Sequence, residues 1–171
     1  MGMVKYVFVL LIAFALPGCV LQSATPLFTD GQAELVLGAA DTTMKTFSWK
    51  NGAWTEEMEP LALRVEGRHY VATDKGEAVN IAFVSLGGGW HAVQVTEGQK
   101  PAAYMLAKAA DGGAILHVLA CADLKKKPGF GTSITYMGDD CTARPGVDGI
   151  SLFKELSKTP DAPILKLVPA T

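Results

Sequence analysis

Three histidines, His69, His91 and His117, are the side chains of this sequence best suited to proton transfer or metal binding. Each stands alone on a stretch that reads as strand. Neighbouring strands lie under ~5 Å apart, so a β fold could gather imidazoles on one ion, yet nothing in the linear spacing encodes such a cluster. Asp139-Asp140 offers carboxylates to a hard cation and reads equally as a polar turn. Gly87-Gly88-Gly89 offers backbone donors as an oxyanion-hole glycine run would, but without the strand-then-helix setting such sites need it reads as a hairpin turn, and no nucleophile elbow is present. Zinc-protease, phosphate-loop and dinucleotide signatures are missing from the sequence. The expectation is a chain with no catalytic residue, no metal and no cofactor. The residues left to recognise something are aromatic: Trp49, Trp54, Trp90, Tyr70 and Tyr104 all fall on strands and, with Phe83, could line a ligand cavity or form an interaction face. Lys125-Lys126-Lys127 is either a solvated loop tip or a contact for anionic lipid headgroups.

The N-terminus carries a different kind of chemistry. Lys5 supplies a short positive region, and Val7 to Leu16 is an unbroken apolar run of signal-peptide length, about half of what a spanning helix needs. It ends in Leu16-Pro17-Gly18-Cys19. This segment resembles the lipobox of bacterial lipoproteins: a leucine three residues before the cysteine, a small residue just before it, then Cys19 itself. The resemblance implies that the Cys19 thiol takes a diacylglyceryl group and that a dedicated peptidase cuts after Gly18. Valine rather than aspartate at position 20 implies, by the same resemblance, sorting to the periplasmic face of the outer membrane. Two or three acyl chains at ~0.8 kcal/mol per buried methylene would anchor the domain stably.

With Cys19 committed to lipid by that resemblance, Cys121 and Cys141 remain, an even pair in an exported protein and hence an expected disulfide. It would close a loop of about twenty residues and stabilise by roughly 3 kcal/mol. Two cysteines so spaced, without a CxxC or a nearby histidine pair, do not read as a zinc site.

These residues need a scaffold. The chain has 171 residues, 49% hydrophobic and 19% charged, with formal net charge −2. That excludes a disordered chain and a multispan membrane protein, and the missing basic face argues against nucleic-acid binding. Thr46–Lys50, Asn51-Gly52, Ala53–Glu56 predicts a two-residue type I′ hairpin setting Trp49 opposite Trp54. The run from Leu61 to Val71 alternates, with Leu61, Leu63, Val65, His69 and Val71 on one face and Tyr70 with the charged residues on the other. Val79–Leu86 and Trp90–Thr96 flank the glycine run, and Ala102–Lys108 and Ala114–Cys121 flank Asp111-Gly112-Gly113. Ser133–Met137 and Ile164–Val168 read as strands. One helix is expected, capped by Asp148, with Ile150, Phe153 and Leu156 at helical spacing and Thr159-Pro160 as its stop.

The expectation is therefore mainly β: a single antiparallel β-barrel or β-sandwich of about seven to nine short strands with one short C-terminal helix. Residues 1–18 form the signal peptide, 19–26 a lipidated tether and 27–171 one domain. The functional expectation is a lipid-anchored envelope protein acting as a non-enzymatic binding or structural module, with the membrane as partner through Cys19 and an envelope protein as a further partner. The alternatives are a lipocalin-like carrier of a small hydrophobic ligand and a periplasmic enzyme or enzyme inhibitor.

Overall fold

The computed structural model describes residues 20–57, 59–74 and 76–170; the expected signal peptide and Cys19 lie outside them. In chain order the strands are β1 (Gln22–Ser23), β2 (Ala33–Glu34), β3 (Thr42–Lys50), β4 (Ala53–Glu56), β5 (Leu61–Glu66), β6 (His69–Asp74) and β7 (Glu77–Gly87). Then follow β8 (Trp90–Glu97), β9 (Ala102–Ala110), β10 (Gly113–Val118), helix α1 (Cys121–Leu124), β11 (Ile134–Met137), β12 (Asp140–Ala143), helix α2 (Gly149–Leu156) and β13 (Pro163–Pro169).

Eight of these strands close into an antiparallel barrel in the order β10-β13-β3-β5-β6-β7-β8-β9, with β9 pairing back onto β10. The fold is thus a barrel and not a sandwich; the barrel itself has eight strands, and with the short additions β1, β2, β4, β11 and β12 the described residues hold thirteen, more than the expected seven to nine. The one expected helix is α2, where the Asp148 side chain accepts from Ile150 N and Ser151 N. A second, one-turn helix, α1, stands where the sequence reading carried β10 on to Cys121.

Closure follows from period-two patterning. Met44, Leu63, Phe83, Val93, Met105 and Leu167 point inward and pack in one buried cluster. Where β10 meets β13 the backbones come very close: a Cβ on Gly113 would stand 1.9 Å from the Leu167 carbonyl oxygen. One end of the barrel is plugged by the segment after β2. Leu35 and Val36 pack on the interior cluster, Leu37 belongs to it, and Arg68 Nε donates to Ala33 O at 2.6 Å.

Tyr70 is the principal side-chain anchor of that plug. Its hydroxyl accepts from Leu37 N at 2.8 Å and donates to Gly38 O at 2.8 Å. The expected face assignment is corrected here. Gly67 at φ 61° makes a turn between β5 and β6, so Tyr70 pairs with Val65 and faces inward, while Val71 takes the outer face.

A second core covers the outer face of β7–β9. It holds Leu21, Phe28, Tyr104, Leu124, Ile134 and Phe153. The Cys121–Cys141 disulfide, with Cα atoms 5.3 Å apart, ties α1 to β12 inside this layer. The segment read as a polar tether is built into it. Gln22 pairs antiparallel with Ala103 and parallel with Thr142, and Val20, 2% exposed, bridges Ala120.

Candidate functional site

Asn51 at φ 52° and Gly52 at φ 80° form the turn that the Asn-Gly pair dictates, and the register sets Trp49 opposite Trp54. Their rings meet edge to face with centroids 5.0 Å apart. Because Met44, Thr46 and Ser48 turn inward, Lys45, Phe47 and Trp49 turn outward. Trp49 is 39% exposed, one of two large hydrophobic side chains so exposed among the described residues; the other is Met137 in the β11–β12 hairpin. Lys45 pairs with Glu56 at 3.2 Å, and Lys166 of β13 stands beside Phe47. The hairpin thus presents an aromatic pair flanked by the Lys45–Glu56 and Lys50–Glu57 ion pairs, with Trp49 exposed and Trp54 half-buried.

Inside its base, Glu57 accepts from Lys50 Nζ at 2.8 Å and from Ser48 Oγ. These two bonds, Lys50 first, hold the carboxyl below its ordinary range against the opposing effect of burial. A lowered folded-state pKa stabilises above the unfolded value, roughly pH 4.3, and that contribution is lost as pH falls through the folded value. Solvent screening keeps it to about 0.5–1 kcal/mol. Urea melts of the wild type and Glu57→Gln should therefore differ near neutral pH and converge in acid; a constant gap at all pH values would count against this role.

The other expected aromatics lie elsewhere. Trp90, at the start of β8, stacks 5.3 Å from the His117 ring and lies under Lys108 Nζ, 5.2 Å from its centroid. Tyr70 is inside the plug. Tyr104 is buried in the second core, where its hydroxyl meets Ser23 Oγ at 2.6 Å, accepts from Leu27 N at 2.9 Å and bonds Gln94 Oε1 at 3.1 Å. Burial pushes both phenols above their ordinary range, partly offset by these donors. The five residues therefore form no single face: one pair is presented to solvent, one ring flanks the barrel, and two tyrosines hold loops in place.

The histidines are likewise separate. His91, at the plugged end, meets Glu34 Oε1 through Nε2 at 2.6 Å, with Nδ1 buried and unpartnered. His117 Nδ1 lies 2.7 Å from Asp161 O, and His69 begins β6. Among the described residues no group of three His, Cys, Asp or Glu side chains gathers as a metal site would require. The Lys125–Lys127 loop borders a groove of about 530 Å³ that also contains Phe130 and Lys158. Lys127 is fixed there by Asp161 Oδ1 at 2.9 Å, Lys126 pairs with Asp123 at 3.0 Å, and Lys125 has no acidic partner among the described residues.

Sequence reasoning did not find the role of Tyr104. The signal was present: Ala102 to Ala107 is apolar throughout, and a strand without alternation is covered on both faces. Comparison with protein-family profiles, with curated proteins and with solved structures finds no match for this chain.

Proposed function

We propose that this protein is a lipid-anchored component of a bacterial envelope, held at the membrane through Cys19, whose domain works by surface contact and without catalysis. The observation that carries the surface reading is the Trp49–Trp54 hairpin, whose Trp49 is exposed and whose strands are joined by a two-residue turn. Aromatic side chains of this kind supply large contact area at low entropic cost and dominate recognition surfaces. The barrel interior favours the same reading over a carrier, because its inward side chains pack on one another and the plug seals one end. The leader supports the anchor through Leu16-Pro17-Gly18-Cys19 alone.

Fractionation tests the anchor. The wild type should sediment with membranes and yield a mature N-terminal peptide carrying acyl mass on Cys19. Cys19→Ala should move to the soluble fraction, since a non-acylated domain of this kind has no comparable membrane affinity. Equal sedimentation of both forms would remove the anchor from the proposal.

A further inference from the structure

We infer that the barrel wall carries a strand-addition site: the seam between β5 and β6 takes an extended segment of a partner polypeptide, which pairs with both strands through its main chain. This contact surface lies beside the start of β3, away from the Trp49–Trp54 hairpin at its end, and needs no lipid anchor.

The ladder between these strands stops early. From their turn they pair Glu66 with His69, Val65 with Tyr70 and Arg64 with Val71, and the register goes no further. Beyond that point β5 follows β3, with Leu63 opposite Thr42 and Leu61 opposite Met44. β6 follows β7 instead, with Ala72 opposite Val79 and Thr73 opposite Ala78. Ala62 and Thr73 stand where the next hydrogen-bonded pair belongs, and the register gives neither a partner across the seam. Two observations fix the phase. Glu66 and His69 close a two-residue turn, so the even-numbered residues of β5 and the odd-numbered residues of β6 aim their main-chain groups at one another. Val65 N, of the opposite parity, points away to Asp41 Oδ1 at 2.7 Å. The N–H and C=O of Ala62 therefore face those of Thr73. A hollow of about 470 Å³ opens there, lined by both residues together with Leu61, Leu63 and Val71. It is larger than a side-chain gap and within the range of ligand sites.

The walls select the occupant. Donors and acceptors on both sides are met only by a molecule that carries them on both edges at strand spacing, which is an extended main chain. Because β5 and β6 are antiparallel, the added strand runs parallel to one and antiparallel to the other. The molecule already contains that arrangement: Gln22 of β1 lies antiparallel to Ala103 of β9 and parallel to Thr142 of β12. Three residues span the seam. If the central one exchanges both bonds with Thr73, its two neighbours take the N–H and C=O of Ala62; in the reverse direction the roles of Ala62 and Thr73 swap. Either way the central side chain shares the outer face with Ala62 and Thr73, both exposed, and its neighbours point inward. There they meet Leu61 and Leu63, members of the interior cluster that border the hollow. The partner segment that fits therefore reads apolar–polar–apolar, with β-branched residues favoured.

Residue-resolved amide exchange of the full-length protein tests the site, with the peptide acetyl-Lys-Val-Thr-Val-Lys-amide as probe. The Ala62 and Thr73 amides should exchange fast in the free protein, while those of Leu63 and Ala72, held by β3 and β7, exchange slowly. Saturating peptide should slow Ala62 and Thr73 about tenfold. The same peptide N-methylated at its three central amides should leave both unchanged. Thr73→Pro, which removes a donor that no ladder uses, should keep the wild-type urea midpoint and lose the protection at Ala62. Slow exchange of Ala62 and Thr73 in the free protein would mean that the seam is already closed, and would overturn the site. Fast exchange that the peptide does not slow, or that the N-methylated peptide slows equally, overturns the polypeptide occupant. Protection that rises with protein concentration and not with peptide assigns the seam to a second copy of this chain and overturns a separate partner.

Discussion

Alanine at position 113 should destabilise the protein by about 3 kcal/mol or more, the largest effect expected of any one-methyl change in the chain. Three backbone atoms stand in the way of the new Cβ: the Leu167 oxygen at 1.9 Å, the Leu167 carbonyl carbon at 2.9 Å and the Val168 Cα at 3.3 Å. None can yield by changing rotamer, so β10 and β13 must separate. Both belong to a closed ring, and a local opening disrupts the β10–β13 ladder where Ala114 stands opposite Leu167 and strains the neighbours on either side. Gly131 is the natural control: its Cβ would meet nothing within 4 Å and its backbone is compatible with any residue. Chemical denaturation of Gly113→Ala and Gly131→Ala should separate them widely, with Gly131→Ala inside ~0.5 kcal/mol of wild type. Similar midpoints would mean that the seam is more compliant than its geometry implies.

Removal of the disulfide comes next. Cys121→Ser with Cys141→Ser should cost about 3 kcal/mol, from the freedom returned to an unfolded loop of 20 residues. For a domain of this size that corresponds to a fall of roughly 6–12 °C in Tm. The loss should be spatially uneven. Barrel strands β5–β8 are held by their own ladders and interior packing, whereas α1, β11 and β12 are short elements joined to the rest by the second core. Amide exchange of the reduced or double-serine protein should accelerate in residues 121–143 with much smaller change in Phe83 and Val93. Uniform acceleration throughout would show that the two cores unfold as a unit.

What could be read in advance depended on how local the physics is. The β3–β4 hairpin, its register and the Trp49–Trp54 pair were legible because Asn51-Gly52 determines the turn within four residues. The helix was legible from Asp148 and its spacing. The Cys121–Cys141 pair followed once Cys19 was set aside. Tyr70 was misplaced because a turn at Gly67 reverses the phase of the alternation, and the continuous pattern from Leu61 to Val71 hides that reversal. β1, β2 and β12 were not legible. Each has four residues or fewer and exists only because a distant edge accepts it: Val84 for Ala33, Ala103 and Thr142 for Gln22. Tyr104 and the aromatic set show the same limit. Composition placed these rings on strands, but only closure of the barrel and its second layer decides which of them reach solvent.

The built-in N-terminal segment also bears on how the chain must fold. Ser23 and the Tyr104 hydroxyl it meets are 81 residues apart, and Thr142, the parallel partner of Gln22, lies farther still. The first described strand therefore waits for nearly all the others, and its docking belongs among the late, high-contact-order steps of folding. Until it docks, β9 and β12 keep unpaired edges, which invite another chain. A protein whose leading end is the last piece to settle passes through its most aggregation-exposed interval just before folding is complete, so refolding yield should fall steeply as protein concentration rises.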